Sequence, residues 1–100
     1  MNLHPKKLLV VIAEGALEKS LIRDARQYGA QGYTLSEVRG GGESGDREAA
    51  WEADRLIEMK VICDEAVAAK LAQHVLDTYA PHYAVTLFIN DVGVFRPQKF

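Results

Sequence analysis

The sequence predicts an α+β fold of order β-α-β-β-α-β, with both helices on one face of an antiparallel sheet. Three observations predict it: four short apolar or alternating runs, two longer stretches of helical apolar period, and their interleaving along the chain. In that order each helix joins two parallel strands, and right-handed crossovers put both helices on the same side.

Leu8 to Ala13 is an unbroken run of leucine, β-branched residues and alanine between Lys7 and Glu14-Gly15, the pattern of a central strand buried on both faces. Ala16 to Tyr28 changes period: Leu17, Leu21, Ile22, Ala25 and Tyr28 form one stripe, and Gly29 supplies a C-terminal stop. Gly32 to Arg39 alternates through Tyr33, Leu35 and Val38 as a second strand. Leu56 to Cys63 is the third, with Ile57, Met59, Val61 and Cys63 on one face and Glu58 and Lys60 on the other. Asp64 stands where a cap belongs, ahead of a helix striped by Val67, Ala68, Leu71, Ala72, Val75, Leu76 and Tyr79 and ended by Pro81. Ala84 to Ile89 is the last apolar strand, and Val92 to Arg96 extends or restarts it as a tail. The result is a double split β-α-β unit, the ferredoxin-like arrangement, expected to form one domain over residues 1–100. The uncovered sheet face carries too many apolar side chains to stay wet, which argues for subunits packed sheet to sheet.

Composition narrows the function classes. Hydrophobic residues make up 48% and charged residues 26%, an ordinary globular balance. The net charge of −2 lacks the basic excess of a nucleic-acid-binding domain. One cysteine, Cys63, allows no intrachain disulfide and fits a reducing cytoplasm. The run at Leu8 is too short for a signal peptide, and no stretch approaches the roughly 18–20 apolar residues of a membrane span.

The link from strand two to strand three is far longer than the roughly 2–5 residues a hairpin needs. It runs from Gly40 to Asp54, opens with Gly40-Gly41-Gly42 and is polar throughout except for Trp51 and its alanines. Adjacent glycine amides can approach a phosphate with no Cβ in the way, and Arg39, Arg47 and Arg55 flank them, with Arg96 at the end of the last strand. Taken alone, these residues equally fit a flexible loop with solvated charge. Trp51 fits either a partner contact or a cover for the core rim. His4, His74 and His82 lie far apart and outside any expected strand, Cys63 has no partner at ligand spacing, and no nucleophile, base and orienter belong together. No catalytic residue and no metal ligand is assigned.

Thr34-Leu35-Ser36-Glu37-Val38-Arg39-Gly40-Gly41-Gly42 resembles the end of strand two in PII signal-transduction proteins, where the pattern runs roughly T-V-S-E-V-R-G-x-G. Lys6-Lys7-Leu8, Gly32-Tyr33-Thr34 and the element order match as well. The resemblance implies a homotrimer that binds adenine nucleotides between subunits and signals through the loop after strand two, here residues 40–54, the T-loop equivalent. That loop is shorter than in true PII proteins and has no tyrosine for uridylylation, and Ala80-Pro81-His82-Tyr83 replaces a glycine-and-lysine phosphate loop. These departures weigh against ATP with 2-oxoglutarate. The shortened chain is similar to the carboxysome-associated PII-like proteins and the regulators of bicarbonate transporters. These imply AMP, ADP or cyclic AMP as ligand, bicarbonate as a candidate co-ligand, and a membrane transporter or carboxysome-related protein as candidate partner. A tail without cysteine favours the carboxysome-associated branch.

Carried over by position, Gly40, Gly41 and Gly42 bring backbone amides to the phosphates, and Thr34 contacts the base or ribose. Val11, Ile12 and Ile62 line the adenine slot, and Arg96 reaches the phosphates of a neighbouring subunit. Ser44 stands where PII has a nucleotide-contacting glutamine, while Arg39 and Arg47 join the site on charge and position. The function expected is a non-enzymatic cytoplasmic sensor of inorganic-carbon or energy status. The alternatives are a small ferredoxin-like enzyme or a metal-tolerance protein working on the open sheet face.

Overall fold

A computed structural model describes residues 2–42, 45–46 and 55–100. The order is β1 (His4–Glu14), α1 (Glu18–Gln27), β2 (Thr34–Val38), β3 (Gly41–Gly42), β4 (Gly45–Asp46), β5 (Leu56–Cys63), α2 (Glu65–Thr78) and β6 (Val85–Val94). The main sheet runs β2-β5-β1-β6, every neighbour antiparallel. Both helices pack on one face, as the crossover rule requires.

Alternation sorts the strands. Leu9, Val11 and Ala13 on β1 join Ile57, Met59, Val61 and Cys63 on β5 beneath Leu17, Leu21 and Ala25 of α1 and its entry, and Ala68, Leu71 and Val75 of α2. Leu8, Val10 and Ile12 therefore point to the open face, together with Glu58, Lys60 and Ile62 on β5 and Thr86 and Phe88 on β6. Val10 is only 2% exposed there, flanked by its cross-strand neighbours Phe88 and Lys60. Phe88 itself stays 45% exposed, at the centre of an apolar strip that no element of the described chain covers.

β1 and β6 are both longer than the apolar runs suggest. β1 begins at His4, which thus lies within a strand, contrary to expectation, and β6 continues unbroken to Val94. Polar residues sit in both extensions but answer each other: Lys7 pairs with Asp91 in register and as an ion pair. Pro5 is tolerated because β5 ends at Cys63, opposite Lys7, leaving that stretch paired on one side only.

α1 starts later than the stripe suggests, after a 3₁₀ turn at Gly15–Leu17. The Gly15 amide donates to the Arg55 carbonyl at 2.8 Å, which fixes the chain before the helix begins. Gly29 terminates α1 as expected, with φ +101°. The Gly29 amide donates to the Arg26 carbonyl at 3.1 Å and the Ala30 amide to the Ala25 carbonyl at 2.9 Å, a Schellman closure. A Cβ there meets nothing nearer than Val67 Cγ2 at 3.7 Å, so only backbone strain opposes one. Gly29→Ala is expected to destabilise by about 1–2 kcal/mol, read as a lower urea midpoint at unchanged slope.

Asp64 occupies the N-cap of α2, but its side chain makes no capping bond. It accepts instead from Lys6 Nζ at 2.6 Å, tying the helix entry back to β1. Leu76, expected in the inward stripe, is 44% exposed, because the core closes on Ala68, Leu71 and Val75 and leaves Leu76 at its margin.

Candidate functional site

The glycine segment leaves the sheet where β2 and β5 end together, Val38 opposite Leu56. Arg55, immediately before β5, clamps this corner: its Nη1 lies 3.1 Å from Glu18 Oε1 on α1 and 3.2 Å from Glu37 Oε1 on β2. A Cβ on Gly15 would come within 2.6 Å of Arg55 Cγ, so the glycine lets the arginine cross here. One of the arginines flanking the glycines is therefore already committed to two carboxylates. On the far side of the corner, Gly41 and Gly42 pair with Asp46 and Gly45 in a small antiparallel ladder. At Gly40 no atom of the described residues stands within 4 Å of where a Cβ would lie, so none of them crowds that position.

The expected site residues do not gather in one place within the chain. Ile12, Arg39, Gly40, Gly41 and Gly42 stand at the loop end of the sheet, and Thr34 is exposed on the open face opposite Lys60. Ile62 pairs with Leu8, on the order of 13 Å along β1 from Ile12 at about 3.3 Å per residue. Arg96 follows β6 at the opposite end, just beyond Val94, which pairs with His4. Since β1 runs from His4 to Glu14, the glycines and Arg96 of one chain lie on the order of 30 Å apart at about 3.3 Å per residue. Arg96 is exposed, but its carbonyl accepts from the Lys99 amide at 3.0 Å in a closing 3₁₀ turn. Ser44 and Arg47 lie outside the described residues. The side chain of Val11 departs from expectation: it is 0% exposed in the core on the helix face, and strand alternation gives the open face to Ile12.

A second polar cluster had no place in the sequence reading. Asp24 on α1 is 2% exposed and accepts a hydrogen bond from the Tyr79 hydroxyl at the end of α2. His74 Nε2 approaches Asp24 Oδ2 at 3.1 Å without hydrogen-bond alignment, and Arg23 Nη2 stands 3.4 Å from Asp24 Oδ1. The His74 ring lies between Tyr28 and Tyr79, with centroids at 5.0 and 5.9 Å. His74 is thus a boundary residue, as its position beside the apolar stripe suggests. Asp24 could have been found from sequence, since it sits three residues after Leu21 on the inward side of α1.

Cys63 is a core thiol. Burial, reinforced by Asp64, pushes its pKa above the ordinary value. In the folded protein it is expected to react slowly with Ellman's reagent at neutral pH, and fully once denatured. Immediate reaction of the native protein would place the thiol at the surface. Among the described residues no group of three or more His, Cys, Asp or Glu gathers to hold a metal, and no helix is long and apolar enough to cross a membrane.

The family model for nitrogen regulatory protein P-II matches residues 6–99. Among solved structures, a PII-like signaling protein from Thermus thermophilus superposes with a TM-score of 0.86 at 39% identity, covering 100% of this chain and 99% of its own. CPII from Thiomonas intermedia, solved with ADP and bicarbonate, gives a TM-score of 0.87 at 28% identity over 99% of this chain and 97% of its own. The same protein solved with ADP, AMP and acetate gives 0.86 at 27% identity over 100% and 98%. No curated protein matches the chain.

Proposed function

The chain belongs to the nitrogen regulatory protein P-II family, and on that footing we propose that it is a non-enzymatic regulator whose homotrimer binds AMP or ADP, with bicarbonate as co-ligand, in clefts between subunits. The observation that carries this reading is the separation of the glycine segment from Arg96 by the length of β1. Two parts of an anion site so placed can meet only when one chain supplies the glycines and its neighbour the arginine. The ligand class follows from the likeness to CPII, solved with ADP and bicarbonate.

The open sheet face supplies the reason to assemble. Leu8, Ile12 and Phe88 leave apolar surface in water beside the already buried Val10, and covering them between subunits removes that surface from water. Ligand in the cleft would touch the root of the segment 40–54, which in this reading is the T-loop equivalent and signals inorganic-carbon or energy status to a transporter or carboxysome-related partner. The whole chain forms one such domain.

Two measurements test this. Sedimentation is expected to give about 33 kDa, three copies of the 11.1 kDa chain, and a stable monomer at micromolar concentration would remove the shared site. Calorimetry with AMP, ADP, ATP and cyclic AMP, each with and without bicarbonate, is expected to rank AMP or ADP above ATP. Heat from none of the four would overturn the ligand class.

A further inference from the structure

We propose that the outer face of α1 is a docking surface for an acidic segment of a partner protein. Lys19, Arg23 and Arg26 stand exposed on one stripe of this helix, spaced i, i+4 and i+7. With half-buried Ile22 and with Gln27 they line an open groove of about 360 Å³. Arg26 lies over the ring of Tyr33, its guanidinium 5.8 Å from the centroid, which extends the surface to the chain before β2.

The chain as a whole carries −2, so this positive strip is a local excess. The carboxylates of α1 do not balance it. Glu18 is taken by Arg55, and Asp24 is turned into the core, where it accepts from Tyr79 and touches the strip only through Arg23 at 3.4 Å. Nor does helix chemistry account for the pattern. The helix dipole favours Arg26 in the last turn but opposes Lys19 in the first, and Lys19 and Arg23 repel each other at i, i+4.

The chemistry fits one occupant best. Three cations spread over about 10 Å of helix match carboxylates on one face of a short acidic helix or strand, with Ile22 receiving a single apolar side chain. A nucleic acid would call for a longer basic stripe, and a bilayer for more apolar surface than one half-buried isoleucine. Because the helices cover the side of the sheet opposite Phe88, this face stays accessible when the open sheet face is covered. The inference goes beyond nucleotide binding and does not depend on it.

The test uses the full chain and a fluorescein-labelled helical peptide carrying glutamates at i, i+4 and i+7 around one leucine. Fluorescence anisotropy is read at low and high salt. The expected result is saturable binding that weakens with salt and vanishes when the glutamates are changed to glutamine. The double variant Lys19→Glu/Arg26→Glu is expected to bind about tenfold more weakly or worse, and Arg23→Gln to weaken binding less. Calorimetry with ADP should be unchanged by both, which separates this surface from the cleft. Absence of peptide binding up to millimolar concentration overturns the proposal, as does equal binding by the double variant. Stronger binding to phosphatidylglycerol vesicles or to a DNA duplex than to the peptide also overturns it, reassigning the strip to that surface.

Discussion

Asp24→Ala is expected to lower the unfolding free energy by about 3 kcal/mol. Asp24 is 2% exposed, accepts from the Tyr79 hydroxyl, and is faced by His74 Nε2 and Arg23 Nη2 between α1 and α2. Its removal leaves the Tyr79 hydroxyl and the His74 ring nitrogen without the group they face, in a place water does not reach. Tyr79→Phe removes the donor and keeps the acceptor, so it is expected to cost about 1–3 kcal/mol. If the two residues act through one another, the double variant loses less than the sum of the single ones. Strict additivity in urea unfolding would show that the contact carries no energy of its own.

The same cluster fixes an alkaline limit. Burial, and then the hydrogen bond to Asp24, raise the Tyr79 pKa above its ordinary value. The folded state therefore holds the phenol proton more tightly than the unfolded chain does. That stability is fully present below about pH 10, the value of a free tyrosine, and is lost as pH rises through the folded value. Tyr79→Phe is expected to flatten this limb of the stability curve.

What the sequence made legible and what it concealed divide along a physical line. Apolar period is a local signal, so β1, β5 and both helices could be read from Leu8–Ala13, Leu56–Cys63 and the stripes at Leu17 and Leu71. The extension of β6 was offered by the run at Val92, but the start of β1 at His4 was hidden, because Lys7 finds its partner in Asp91, 84 positions away. Asp24 was visible as a carboxylate on the inward side of α1, whereas its pairing with Tyr79, 55 positions away, was not. The candidate site shows the same split. The segment from Thr34 to Gly42 is a local motif and was readable as one, whereas the commitment of Arg55 to Glu18 and Glu37 depends on three elements meeting at a corner. Val11 and Ile12 adjoin in sequence, so an assignment by position took both, and only alternation on the sheet separates core from open face.

Arg96→Ala is expected to weaken ADP binding by roughly ten- to hundredfold, the loss of a charge-assisted contact of about 1.5–3 kcal/mol. Within one chain Arg96 stands at the far end of the sheet from Gly40, so this loss requires a neighbour's arginine in the cleft. The substitution should leave the fold alone. Arg96 is exposed, and its structural bond is the one its backbone carbonyl accepts from Lys99, which alanine keeps. Adenosine separates the two causes of weakening, because it offers a guanidinium no anion. A phosphate contact costs ADP affinity and spares adenosine, while a distorted tail costs both alike. Arg96→Lys is expected to recover part of the affinity, keeping the charge and losing the fork. Raising the salt should narrow the gap between wild type and Arg96→Ala, since an exposed ion pair is screened within about 10 Å at moderate ionic strength. Equal losses for ADP and adenosine in calorimetry would take Arg96 out of the site and leave the phosphate to the glycine amides alone.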